Sequence, residues 1–250
     1  MKIRFPLFFL SLFVASSIYA NAEPKYGPAE APHAIPLSTS NEFFRNNPQP
    51  QFWALISFYV PQSNHASCSA ASAVMVLNAA RAPLAKSSDE KVISESELLN
   101  KIQDPQWKSR VSKWGEKGTY GLDLDLFGNL FKKALSAYSF LRAKVTPYHI
   151  SDTSKETKVS VRKSLAALSM NHFIVANFDQ KAFTNDAQVG HFAPVAAYDA
   201  KKDQVLILDP DREYYEPYWV SVDHFVAGMA TQDHRTKKAR GYVEVDLTPQ

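Results

Sequence analysis

Four residues carry the chemical content of the sequence: Gln62, Cys68, His191 and Asp209. Cys68 is the only cysteine among 250 residues, so the chain cannot build an internal disulfide, a thiolate zinc cluster or an iron–sulfur site. A lone thiol is either buried and inert or kept for its reactivity. Two features favour reactivity. The small apolar residues from Ser69 to Arg81 predict a buried helix that starts just after Cys68. The unpaired N–H groups and the macrodipole at such a helix start favour an anion there, so a thiolate is supported. Six residues upstream, Gln62 can turn its side-chain amide toward the space faced by the Cys68 N–H, giving two donors for an oxyanion.

A thiolate nucleophile needs a base, and the base needs an orienting acceptor. Val189-Gly190-His191-Phe-Ala-Pro194 places a histidine at the mouth of a strand, after a glycine that permits close backbone approach. The following hairpin turns near residue 201, which sets His191 opposite roughly residues 209 to 212. Asp209 ends the apolar run Val205–Leu208 and is the preferred acceptor, with Asp211 as its competitor. His65, three residues before Cys68, reads as a solvated loop neighbour, and His33, His149, His172, His224 and His234 lack a glycine–strand context and a matching acid. No histidine pair has metal-ligand spacing on a helix face, and the acidic run 209–213 lacks the glycine and spaced oxygens of a calcium loop. No protein-bound metal or cofactor is expected.

These residues must be positioned by two kinds of element. Helices are predicted over Ser69–Arg81, from the Ser94 cap with its acid three residues on, over Leu122–Ala137 and over Lys155–Met170, the last on Val159, Val161, Leu165 and Leu168. Strands are predicted at Phe173–Phe178, Phe192–Tyr198, Gln204–Leu208 and Gly241–Asp246. Helices first and an antiparallel sheet afterwards give an α+β fold.

Residues 1–22 read as a secretory signal peptide. Lys2 and Arg4 precede the apolar run Phe5–Val14, and small residues at Ala20 and Ala22 fit cleavage before Glu23. The run is shorter than the ~20 residues that span a bilayer. Cleavage would remove two of the 28 basic groups and none of the 25 acidic ones, so the exported protein is nearly neutral. That balance makes no case for nucleic acid or a membrane surface as partner. Residues 23–50, rich in Pro, Ala and Asn, read as an extended arm ahead of a domain over 51–250.

Several segments together resemble the phytochelatin synthase family. They are Pro61 to Ala79 around Cys68, Gly190 to Tyr198, Leu206 to Asp209, Tyr215-Glu-Pro-Tyr-Trp-Val220 and Lys238-Ala-Arg240-Gly-Tyr-Val243. The resemblance runs in register from about Phe52 to Val245 and implies a papain-like fold, with an N-terminal helical lobe followed by an antiparallel sheet lobe. It implies that Cys68 takes up the γ-glutamylcysteinyl group of glutathione, expels glycine, and passes the acyl group to water or a second glutathione. His191 would be base and acid, Asp209 its partner and Gln62 an oxyanion donor. Arg240 would lie near the substrate, where its fork could bind a carboxylate or brace the aspartate, with Gly190 beside the site. Cadmium or zinc would enter as a glutathione thiolate complex, belonging to the substrate. A homodimer is allowed. Three departures stand out: Ser67 and Ser69 replace the family's usual aromatic and glycine around the nucleophile, Pro210 and Asp211 replace a small apolar pair, and the cysteine-rich extension of the plant enzymes is missing. The short bacterial relatives it resembles look better suited to hydrolysing glutathione. The different-substrate alternative is a papain-fold peptidase acting on protein or peptidoglycan cross-links, and a third reading is an exported binding module with an inert Cys68.

Overall fold

The small side chains of the segment behind Cys68 let a helix run through the centre of the protein. In the computed structural model, which describes residues 24–112, 120–185 and 188–247, α3 spans Cys68–Arg81 and is buried from Cys68 to Ala80. Alanines and serines permit this because they leave room for close packing on every side. The segment read as a signal peptide lies outside the described residues.

Four further helices of the N-terminal half, α1 (Phe43–Asn46), α2 (Pro50–Ser57), α4 (Glu95–Ile102) and α5 (Pro105–Arg110), lie around α3 with α6 (Leu124–Ala137). α4 opens with the capping box expected from Ser94: its hydroxyl accepts the Glu97 N–H at 3.3 Å and the Glu97 carboxylate accepts the Ser94 N–H at 2.9 Å. α6 is capped by Asp123, and Phe127, Leu130, Phe131, Ala134 and Leu135 form its buried stripe.

Among the described residues, seven strands join one antiparallel sheet in the order β1-β6-β5-β4-β3-β7-β2. They are β1 (Ala34–Pro36), β2 (Lys144–His149), β3 (His172–Asp179), β4 (Gly190–Asp199), β5 (Gln204–Ile207), β6 (Tyr218–Ser221) and β7 (Gly241–Asp246). The fold is therefore α+β, as the sequence predicts. Alternate strand residues divide two cores. Phe173, Val175, Phe192, Leu206, Val243 and Val245 meet the helices around α3. Ile174, Ala176, Phe178, Val195, Ile207 and Tyr242 meet α7 (Lys155–Ala166) and α8 (Val222–Met229) on the other side.

The structure corrects the sequence reading in places. α7 ends at Ala166 rather than Met170, and Val159 is 57% exposed while Val161 and Leu165 are buried. Two residues apart on a helix means nearly opposite faces, so Val159 and Val161 cannot share one stripe. The arm contributes β1, which pairs with β6, so it is part of the sheet. β2 is a strand that the sequence pattern does not predict. It carries Pro147, which edge strands tolerate, and it pairs only with β7 at the sheet's edge. Among the described residues, no helix is long and apolar enough to cross a membrane.

Candidate active site

Cys68 is the first residue of α3. Ser67 occupies the N-cap position, yet its hydroxyl does not cap the helix. It bonds instead within the preceding loop, accepting from the Asn64 N–H and donating to the Asn64 carbonyl, both at 3.1 Å. The first helical hydrogen bond runs from the Ala71 N–H to the Ser67 carbonyl, so the N–H groups of the opening turn lie outside the ladder. The loop is held from below by Glu95, whose carboxylate accepts the Ser63 N–H at 2.9 Å. Burial raises the Glu95 pKa, against the opposing hydrogen bonds from Ser67 and Ser63.

His191 stands near the start of β4, buried, with Cys68 in hydrogen-bond contact and Phe178 edge-on to its ring at 5.6 Å. Its Nε2 faces Asp209 Oδ1 at 2.7 Å. The hairpin places the pair much as its spacing requires: Asp199 opposes Gln204, and a register shift between Val195 and Ala197 follows. β5 ends at Ile207, and Asp209 lies two residues beyond. Asp211, the competing acid, supplies its backbone N–H to Asp209 Oδ1 at 2.9 Å.

Asp209 is completely buried and is surrounded by donors. Its Oδ2 accepts from the Tyr218 hydroxyl at 2.7 Å and from Gln180 Nε2 at 3.3 Å, and its backbone carbonyl accepts the Tyr59 hydroxyl at 2.5 Å. Burial alone would raise the Asp209 pKa, but His191, Tyr218 and the Asp211 N–H outweigh it and keep the carboxyl below its ordinary value. Burial alone would lower the His191 pKa, but the Asp209 charge and hydrogen bond, with Cys68, raise it well above the ordinary value. The two shifts describe an ion pair screened from water.

Cys68 opens onto a cleft of about 430 Å³ that also touches Asn177, Gly190, Asp233 and Arg240. Asn177 donates through Nδ2 to the His191 carbonyl at 3.0 Å, fixing the backbone of the histidine. Arg240 is buried; its Nη1 bonds Thr231 Oγ1 at 3.1 Å and the Gln232 carbonyl at 2.6 Å, while its Nε has no hydrogen-bond partner. Burial lowers its pKa, opposed only in part by Asp179 and Asp233. The donors around Asp209 come from elsewhere, so among the described residues the Arg240 fork does not brace the aspartate. Gly190 is explained by the same arginine. A Cβ there would lie 2.8 Å from Arg240 Nη2, so the close approach that glycine permits is that of a guanidinium.

Gln62 lies beside this centre in a neighbouring cleft of about 620 Å³, with Asp211, Arg212 and Glu213 across from it; His65 borders both clefts. Its N–H donates to the Pro210 carbonyl at 2.8 Å, and its side-chain Oε1 is buried without a partner. Ser69, which stands where the family resemblance calls for glycine, accepts the buried Trp107 Nε1–H on its hydroxyl at 3.3 Å. Sequence reasoning missed Asn177, Gln180 and Tyr218. Asn177 left a signal, as the one amide within the apolar strand 173–178; Gln180 and Tyr218 left none that spacing could read.

Among the described residues, no group of three or more His, Cys, Asp or Glu side chains is arranged to hold a metal ion. The sequence profile of the family described as phytochelatin synthase matches residues 36–242. Among curated proteins, the chain is 28% identical over 228 residues to glutathione gamma-glutamylcysteinyltransferase 1 of Lotus japonicus, covering 85% of this chain and 40% of that protein. It is 27% identical over 243 residues to the protein of the same name from Arabidopsis thaliana, covering 91% and 44%. A third, from Triticum aestivum, is 24% identical over 237 residues, covering 92% and 43%. The chain thus spans about two fifths of the length of the curated relatives it matches. The profile match takes in Cys68, His191, Asp209 and Arg240 together, and this chain belongs to the phytochelatin synthase family.

Proposed function

We propose that this protein is a glutathione γ-glutamylcysteinyltransferase or deglycylase that works through a thioester on Cys68. The observation that carries the reading is the ordered relay of Cys68, His191 and Asp209, with His191 in contact with the thiol and its Nε2 held by Asp209 at 2.7 Å. The sulfur of Cys68 attacks the carbonyl carbon between cysteine and glycine of glutathione. The tetrahedral oxyanion is held by the Cys68 N–H and the Gln62 amide. His191, as imidazolium, gives its proton to the glycine nitrogen; the C–N bond breaks and glycine leaves. His191 then takes a proton from water, or from the amine of a second glutathione, as that nucleophile attacks the thioester, and Cys68 is regenerated. Arg240, with its unpartnered Nε at the cleft that Cys68 opens onto, binds the donor's carboxylate. Cadmium or zinc enters only as a thiolate complex of the glutathione substrate.

The export signal read at residues 1–22 supports a working enzyme outside the cytoplasm; N-terminal sequencing of the exported protein is expected to begin at Glu23. The activity is tested by mass spectrometry of purified protein with glutathione, with and without cadmium. The wild type is expected to release glycine and to carry a γ-glutamylcysteinyl adduct, and Cys68→Ala to lose at least about a thousandfold in rate. A wild type that releases no glycine under either condition overturns the substrate assignment.

A further inference from the structure

We propose that Tyr218 and Gln180 are positioning residues for the reaction, clamping the far oxygen of Asp209 and through it the orientation of His191. The proposal rests on the reading of Cys68, His191 and Asp209 as an acyl-transfer centre.

The near oxygen of Asp209 is already taken by His191 and the Asp211 N–H. A carboxylate held at one oxygen can still turn about its Cβ–Cγ bond; donors at the second oxygen fix its plane and favour its charged form. Tyr218, fully buried on β6, donates to that oxygen at 2.7 Å. Its ring cannot swing away, because Tyr26 and Tyr215 each stand 6.0 Å from it and Phe183 at 6.4 Å. Burial and the adjacent Asp209 raise the Tyr218 pKa well above its ordinary value, so the hydroxyl remains a donor.

Gln180 distinguishes a clamp from ordinary packing. Its Nε2 reaches Asp209 Oδ2 at 3.3 Å and the Tyr218 hydroxyl at 3.4 Å, while its Oε1 is buried without a partner. Turning the amide over would set Oε1 against the carboxylate oxygen, two acceptors face to face. An unpaired buried carbonyl is destabilising, so a residue serving stability alone would be apolar here. The glutamine is explained by the donor it gives to Asp209. The other ionisable groups felt at the pair are Cys68 at His191, and Tyr26 and Tyr59 at Asp209.

The test compares Tyr218→Phe and Gln180→Met with wild type in three measurements: kcat and KM for glycine release, thermal midpoint, and the pH dependence of Cys68 alkylation by iodoacetate. That anionic reagent is drawn by the imidazolium and needs no glutathione, so it reads the clamp independently of the substrate. Without Tyr218 the carboxylate loses a donor to its charged form and supports the imidazolium less. Tyr218→Phe is expected to lower kcat about tenfold with KM within about twofold, and to move the falling limb of alkylation to lower pH. Gln180→Met is expected to move both readouts the same way by less, with an equal or higher thermal midpoint. An unmoved alkylation limb in both variants, or activity lost only in step with stability, overturns the proposal. Should Tyr218→Phe not fold, Gln180→Met decides alone. A wild type that releases no glycine, beside variants that shift the alkylation limb as stated, would sink the glutathione reading and leave the clamp standing.

Discussion

The two sides of His191 differ in how completely their polar groups are satisfied. Behind it, Asp209 accepts four hydrogen bonds on its carboxylate and one on its backbone carbonyl, all from the protein and all away from the substrate cleft. In front, Arg240 Nε and Gln62 Oε1 are buried without partners, and the start of α3 has no side-chain cap. Leaving such groups unpaired costs free energy, which the proposed substrate, with its carboxylate and amides, would recover. The Asp209 carboxylate is saturated by folding alone, with Gln180 Oε1 the one unpaired atom among its donors, whereas the front leaves an arginine and a glutamine atom with hydrogen-bonding capacity to spare. On the proposed mechanism, interactions of the rear and the oxyanion donors serve the transition state, and the carboxylate contact of Arg240 is shared with the ground state.

Breaking the rear should therefore act mainly on kcat. Asp209→Asn is expected to lower kcat about a hundredfold or more with KM little changed, measured as initial rates of glycine release. The same variant should alter the pH profiles, and the sign follows from the shifts. The His191 pKa is raised in the folded protein, so its contribution to stability is fully present below its ordinary value of 6.5 and is lost as pH rises through the raised one. The Asp209 pKa is lowered, so its contribution is present above its ordinary 3.8 and is lost as pH falls through the lowered one. Denaturant melts of the wild type should show both losses, and Asp209→Asn should flatten both. In that variant burial acts on His191 unopposed by the carboxylate charge, and the descending limb of kcat/KM should move to lower pH.

Breaking the carboxylate contact of the front should act on KM. On the proposal that its fork holds a substrate carboxylate, Arg240→Met is expected to raise KM for glutathione about tenfold or more, with a smaller change in kcat. Gly190→Ala should push KM the same way by a few-fold, since the added Cβ meets Arg240 Nη2 at 2.8 Å and the end of a long side chain can shift. A substrate amidated at the carboxylate would sharpen the comparison: it should lose affinity for the wild type and little for Arg240→Met. Equal losses in both proteins would remove Arg240 from substrate recognition.

Much of the centre could be read from spacing because it is built from local rules. A small-residue helix begins at Cys68, and a hairpin with its turn near residue 201 brings His191 to the residues after β5. The choice between Asp209 and Asp211 depended on which side chain faces inward, and that required the structure. Gln180 and Tyr218 come from two further stretches of chain that meet at one carboxylate, a contact with no periodicity to betray it. The edge strands were equally hidden. β1 has three residues, and β2 carries a proline among mostly polar side chains, so neither shows the apolar run that marks β3, β4 and β5.

The smallest expected effect lies where the two sides meet, at Ser69, beside the nucleophile but bonded to the helical core. Its hydroxyl accepts the Nε1–H of Trp107, and both residues are fully buried. Ser69→Ala removes the acceptor and leaves an indole N–H unpaired, which should cost about 1–3 kcal/mol of stability. Ser69→Gly loses the same bond and adds backbone freedom to the unfolded chain, a further cost of up to about 1 kcal/mol. Thermal midpoints should fall in the order Ser, Ala, Gly, while kcat/KM stays within about twofold, because the hydroxyl serves Trp107 and no reacting atom. An alanine variant that keeps its midpoint but loses activity would place Ser69 on the substrate side. The departure from glycine would then be a matter of chemistry, and the division between a finished rear and an open front would have to be redrawn through the first turn of α3.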